Sequence, residues 1–410
     1  MDDNQVLDFA MDIRTETGKT QKTSKWYMVF RKKRTLLLIF IPLSFFILWL
    51  AQNNPTLTEY AFSRGIYKWI SRAVSFVSGI FPFSLMELEV IVIPVAGIIL
   101  LFRFFVKVLG KFFHKSGDTG YTFALGILNL VCTLGIVFFL YLVMGGLNYY
   151  RVSFTEYSGL EIKESSVEEL YNLCVDLANQ ASDIRSELHD MESMEDENGV
   201  LQLKNGDWKT FSGNMQDAFL KLSEEYPVLS GYYPSLKPVF FSKFMSRMEI
   251  IGIFWPFTME ANVNIDASDY SLPATMGHEL AHLRGFMRED EANFIGYLVC
   301  KASDKPEYQY SGIMLALTYA ANQLYRQDAS LYQSLLKHYN TQMLADLRNE
   351  YYYWKQFEDT VISTVSNTVN DNYLKANKQS DGVKSYGKMV DLLLAEYRKN
   401  QEEEKEAYLE

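Results

Sequence analysis

Positions 121–150 carry no Asp, Glu, Lys or Arg, a charge-free run of about 30 residues. Roughly 20 apolar residues suffice for a helix to cross the hydrocarbon core of a bilayer, so this run constrains the chain more than any other feature. Two more apolar runs precede it. One covers 35–51; the other centres on 90–102, with Glu87 and Glu89 before it and Arg103 and Lys107 after it, charges that can reach the two interfaces. The three runs predict membrane-spanning helices at about 35–51, 85–106 and 121–146, a membrane region over 35–150.

Charge sets the expected orientation. The tail 1–34 has eight Lys and Arg, four of them in the cluster Arg31, Lys32, Lys33 and Arg34. The loop between the first two runs has three, and the loop after the second has Arg103, Lys107, Lys111 and Lys115. The positive-inside rule then makes 1–34 a cytoplasmic basic tail and puts everything after about residue 150 outside the cell. The long basic region and the lack of a small-residue cleavage site argue against a removed signal peptide. Within 56–80, Arg64, Lys68 and Arg72 recur every four residues opposite Ile66, Tyr67, Trp69, Ile70, Val74 and Val77. That pattern predicts an amphipathic helix, lying on the outer leaflet or packed against the spans.

Residues 1–120 hold 15 basic and 9 acidic side chains, whereas 151–410 hold 24 and 41. So acidic an outer part repels phosphate backbones, which excludes nucleic acid as a partner. Nearly half of the residues are hydrophobic, enough for a folded core, and three Cys, with Cys132 inside the third run, give no disulfide framework. The outer part reads as helical over 151–225, with a polar break near 195–206. A β-rich stretch follows at 250–257. Beyond it, Met259, Ala261, Val263 and Ile265 alternate with Glu260, Asn262, Asn264 and Asp266, the pattern of a half-buried strand. Pro256 suggests an edge or a bulge. Helices fill the C-terminal half, broken at 379–382. The expected fold is therefore a membrane-anchored, mainly α chain: three N-terminal spans, then an α+β domain over 151–410 with a small sheet and a helical C-terminal half.

The chemistry lies at 278–293. Ser271 and Pro273 suit a helix start, and Gly285 suits the left-handed residue after its end. Between them the helix carries His278-Glu279-Leu280-Ala281-His282. Residues four apart share a face, so both imidazoles meet at one spot, in the bite geometry of Zn²⁺, with Glu279 placed to act on water. A second helix starting near Arg288 puts Glu289 and Asn293 on one face. Glu289 would be the third ligand, with Glu291 the alternative, and Asn293 would hydrogen-bond a ligand imidazole from behind. His114, His189 and His338 show no such pairing.

HELAH followed by a short turn and E-x-x-A-N resembles the gluzincin type of zincin metallopeptidases, most closely the short-linker ImmA/IrrE-like peptidases. The three spans with PFTMEANVN, HELAHLRG and REDEANF are also similar to an uncharacterised family of Gram-positive bacterial membrane proteins of unknown function. Gly285 fits the metzincin pattern, but Arg288 stands where that pattern has a ligand. Asn293 stands where many gluzincins have Asp. The zincin resemblance implies a peptidase in which Glu279 is the general base. It further implies an edge strand over 259–264, with Glu260, Asn262 and Asn264, pairing with extended substrate, and an oxyanion-stabilising residue, for which Tyr386 in a Gly-flanked turn is the candidate. The expected function is hydrolysis of peptide or protein substrates in the cell envelope. The alternative is a non-catalytic envelope sensor or scaffold that retains the site; a transporter is disfavoured, because no charge lies mid-span.

Overall fold

The computed structural model describes residues 26–113, 119–191, 194–203, 208–377 and 387–409. Most of the tail 1–34, His114, Lys115, the break at 379–382 and Tyr386 lie outside the described residues. The chain is mainly helical with one small sheet. Three helices, Lys33–Asn53, Leu85–Phe113 and Thr119–Met144, are long and apolar enough to cross a membrane. They coincide with the three apolar runs.

Two compact units divide the chain: Met1–Ser44 with Ile93–Phe139, and Phe45–Val92 with Leu140–Glu410. In the first, the rings of Phe40 and Phe139 pack with centroids 5.0 Å apart, Arg34 donates to Asn129 at 2.7 Å, and Val29, Leu128 and Cys132 form a small buried cluster. The second unit takes in one end of each span as well as 151–410, so its boundary lies inside the spans, whereas the sequence suggested residue 150.

After the end of the first span, the second unit continues with a π-helical segment Thr58–Ile66 that runs into α1 (Tyr67–Gly79). The buried face here is Ser63, Tyr67, Ser71, Ser75 and Ser78, while Ile66, Trp69, Phe76 and Val77 stay exposed. Tyr67, on the apolar side of the predicted amphipathic helix, is buried and donates its hydroxyl to the Leu283 carbonyl at 3.2 Å. Small serines let the helix approach closely, and their hydroxyls bond back to its own carbonyls.

Next come α2 (Val167–Asp190) and α3 (Trp208–Glu225), then the strands β1 (Lys237–Pro238), β2 (Gly252–Trp255) and β3 (Glu260–Val263). The sheet order is β1-β3-β2, with β3 parallel to β1 and antiparallel to β2. The alternating stretch is therefore the central strand, buried on both faces. Its polar face is not solvated because it meets a helix start: the Glu260 carboxylate accepts from the amides of Leu85 and Met86 at 3.1 and 3.0 Å. Asn262 accepts from Ser84 at 2.6 Å, and Asn264 donates to Ser246 at 2.9 Å. Unpaired N–H groups in a helix's first turn carry partial positive charge, and a carboxylate satisfies them.

The core of the unit is a stack of α4 (Leu272–Leu283), α5 (Glu289–Ala302) and α6 (Pro306–Gln327), with α2 along α6. Three further helices, α7 (Thr341–Lys355), α8 (Val361–Ala376) and α9 (Gly387–Leu409), complete it. Helices α4 and α5 touch at a pair of glycines. A Cβ on Gly277 would lie 2.7 Å from Val299 Cγ1 and 3.0 Å from Gly296 Cα, so the pair sets how near the two helices come. Helix α4 starts where expected, with Ser271 at its N-cap and Pro273 in its first turn, but the Ser271 hydroxyl does not cap it. Ser271 is in a helical turn already and donates back to Ser268 at 2.8 Å; the Ala274 amide is satisfied by Ser311 of α6 at 3.0 Å.

Candidate metal centre

Helix α4 ends as the sequence predicts. Gly285 has φ +85°, its amide bonds to the His282 carbonyl at 2.8 Å, and Phe286 N–H bonds to Ala281 at 3.1 Å. This left-handed closure reverses the chain within a few residues, and α5 opens at Glu289, three residues beyond Phe286. The reversal is clamped from outside. Arg151, buried, forms an ion pair with buried Glu59 at 2.7 Å, donates to the Arg284 carbonyl at 2.9 Å and sits 3.9 Å from the centre of the Phe286 ring.

The outcome is convergence of the three groups singled out. Ligand atoms of His278, His282 and Glu289 all lie within 4.8 Å of one another. His278 Nε2 is 3.4 Å from Glu289 Oε2, and His282 Nε2 is 3.6 Å from Glu289 Oε1. The rings stand at 84° with centroids 4.5 Å apart. The other ring nitrogens are engaged. His282 Nδ1 lies 2.8 Å from the Phe286 carbonyl, an oxygen that only accepts, so Nδ1 carries the proton and Nε2 of the neutral ring is a lone pair aimed at a carboxylate. His278 Nδ1 lies 2.8 Å from Asn293 Oδ1, and Asn293 in turn donates to Tyr319 at 3.2 Å. Asn293 thus stands behind the His278 imidazole, on the side away from Glu289.

Electrostatics describe a site short of positive charge. Burial opposes charging His278, but the hydrogen bond and charge of Glu289 outweigh it and hold the imidazole up to about 9. Burial and the His278 charge push His282 down to about 4. For Glu289, burial works against ionisation, yet the His278 contact holds its carboxyl below the usual range. Burial raises Glu279 to about 8. One Glu279 oxygen is buried with no hydrogen-bond partner, and its carboxylate otherwise takes a bond from the backbone of Phe254 in β2. The His282 Nε2 lone pair, the His278 Nε2 that a metal would take over from its proton, the Glu289 carboxylate and the unpartnered buried Glu279 oxygen fit a divalent cation with one side left for water.

Glu291 is elsewhere. It accepts from the Phe154 amide at 2.7 Å and from Ser153 at 2.8 Å, and pairs with Arg288; it holds the start of α5 rather than facing the histidines. Glu260, Asn262 and Asn264 also point away from the site, into the contacts with Leu85, Met86, Ser84 and Ser246. The strand beside the site is β2. A Cβ on Gly252 would fall 2.4 Å from Glu279 Oε1, so this glycine leaves room for the carboxylate. Among the described residues no strand pairs with the outer edge of β2. Site, β2 and the inner face of α8 enclose a cavity of about 1130 Å³. Tyr149 and Tyr319 also line it; burial chiefly, with the Glu289 charge adding to it, holds both phenols protonated. Sequence reading missed these two, which carry no spacing signal.

A family model described as a protein of unknown function, DUF3810, matches residues 62–394. The chain belongs to that family. Its matched region runs from within the π-helical segment Thr58–Ile66 into α9 and includes the second and third apolar helices, the sheet and all of His278, Glu279, His282, Glu289 and Asn293. No curated protein and no solved structure matches the chain.

Proposed function

We infer that the protein is a membrane-anchored, zinc-dependent peptidase of zincin type, with its catalytic domain on the extracytoplasmic side. The observation that carries this reading is the convergence of His278, His282 and Glu289 within 4.8 Å beside the buried, half-unpartnered carboxylate of Glu279. A structural site has no use for such a base and closes its fourth position. The outward orientation rests on the Lys and Arg distribution around the apolar helices.

His278 and His282 would hold Zn²⁺ through Nε2, and Glu289 through a carboxylate oxygen. Bound there, Zn²⁺ supplies a Lewis acid that polarises a scissile carbonyl and acidifies water. Asn293 and the Phe286 carbonyl fix the ring orientations from behind. Glu279 takes a proton from the attacking water and delivers it to the leaving amine. The edge of β2 that no strand among the described residues pairs with offers main-chain groups other than the Phe254 amide to an extended peptide, in place of the expected 259–264 strand.

The test is metal analysis with peptide-library digestion by the full chain and its Glu279→Gln variant. Zinc at one per chain in both, with cleavage only in the parent, supports a peptidase. Equal cleavage by both contradicts the mechanism. Zinc without cleavage in either favours a sensor or scaffold.

A further inference from the structure

The cavity beside the metal centre is lined mainly by apolar surface, with polar groups interspersed. One wall is β2 and its continuation, with Ile253, Phe254, Trp255 and Phe257; the facing wall is α8. Helix α8 carries Val361, Val365, Val369 and Tyr373 at four-residue steps, and all four line the cavity. Yet Val361, Val365 and Val369 remain 81, 57 and 63% exposed. Only Ser363 and Leu374 of this helix are buried. Polar bonds near its middle and end hold it: Asn367 to Glu249 at 2.7 Å, and Tyr373 to Tyr141 and Tyr149 at 3.2 Å each. A helix with one apolar stripe, exposed and turned into a groove, lacks the partner that would bury it.

Three observations identify the occupant. First, the edge of β2 that no strand among the described residues pairs with lies along the same groove, and beyond the Phe254 amide already bonded to Glu279 it leaves main-chain groups for an extended peptide. Second, none of the described residues lining the groove is Lys or Arg, whereas Glu249, Glu279, Glu289 and Glu350 do line it. A phosphate headgroup or an acidic peptide finds no counter-ion. Third, the groove is built onto the ends of the apolar helices: Tyr141 belongs to Thr119–Met144, and Trp255 donates to Glu89 of Leu85–Phe113 at 2.7 Å.

We propose that the groove between β2 and α8 binds the extended, apolar juxtamembrane stretch of another membrane-inserted polypeptide. Cleavage of the bound stretch rests on the peptidase reading, whereas its binding does not. The main chain of the stretch pairs with β2, and its side chains bury the Val361, Val365 and Val369 stripe.

The test uses the full chain carrying Glu279→Gln in phosphatidylcholine vesicles, with a fluorescent synthetic probe. The probe is a Leu/Ala membrane helix continued outside by a Val- and Phe-rich stretch. It is expected to bind about tenfold more tightly than a probe with a Ser- and Glu-rich outer stretch, the effect of about one buried Val-sized contact. It should also bind more tightly than the same apolar stretch without its membrane helix. Val365→Asp with Val369→Asp should erase the preference. Equal binding of the membrane-tethered probes overturns the proposal, as does displacement of the probe by oleic acid, which assigns the groove to a lipid chain. Equal binding with and without the membrane helix overturns the membrane-inserted source. Metal content is read on the same samples. Probe preference without zinc removes the peptidase reading alone; zinc without preference removes this inference alone.

Discussion

Replacing Glu59 with Leu strands the Arg151 guanidinium inside the protein. Both side chains are essentially inaccessible, at 0 and 2%, and the carboxylate holds Arg151 with two hydrogen bonds of 2.7 and 2.8 Å. Removing one member of a buried ion pair costs about 3–5 kcal/mol, because the other charge is left without compensation. Arg151 keeps its bond to the Arg284 carbonyl and its place over the Phe286 ring, so the lower figure, about 3 kcal/mol, applies. At roughly 2 °C per kcal/mol for a unit of this size, the midpoint of thermal unfolding should fall by about 6 °C. The double variant Glu59→Leu, Arg151→Met should recover most of the loss, since an apolar replacement of similar volume leaves no buried charge. The assay is thermal unfolding of the full chain in detergent, at fixed protein and metal concentration, for the parent, both single variants and the double variant. An unchanged midpoint in Glu59→Leu, or a double variant as unstable as the single, refutes the reasoning.

Two other substitutions separate positioning from binding. Gly252→Ala drives a methyl group into the Glu279 carboxylate, at 2.4 Å from Oε1; turnover of a library-selected peptide should fall sharply while zinc stoichiometry stays at one, and parent-level turnover would contradict the contact. Asn293→Ala removes the partner of His278 Nδ1; zinc affinity, read by chelator competition, should weaken by roughly 10- to 100-fold, and an unchanged affinity would show that the ring needs no support from behind.

The parts of this site legible in the sequence are those written in short-range geometry. Two histidines four apart need only a helix to meet, and Gly285 announces where that helix stops. With the turn so short, Glu289 and Asn293 on the next helix have little choice of direction. Where a side chain's partner lies far along the chain, the sequence is silent. The 259–264 alternation has a true period of two, but its polar face is buried because Glu260 serves the amides of Leu85 and Met86, about 175 positions away. The periodicity sees an alternating strand; it does not see that both faces are covered and that the edge belongs to β2. The Arg64, Lys68 and Arg72 spacing likewise predicts a helix, and one forms, yet its contact face is serine and tyrosine, chosen by closeness of packing rather than by hydropathy. The Glu59–Arg151 clamp joins residues 92 apart and leaves no local trace.

X-ray absorption at the zinc edge, on the full chain loaded with one equivalent of Zn²⁺, tests the metal centre most directly. Two nitrogen donors are expected at about 2.0–2.1 Å and oxygen donors at about 2.0–2.2 Å, with one imidazole lost from the spectrum in His282→Ala. A spectrum with no imidazole scattering, or one that His282→Ala leaves unchanged, would contradict that coordination.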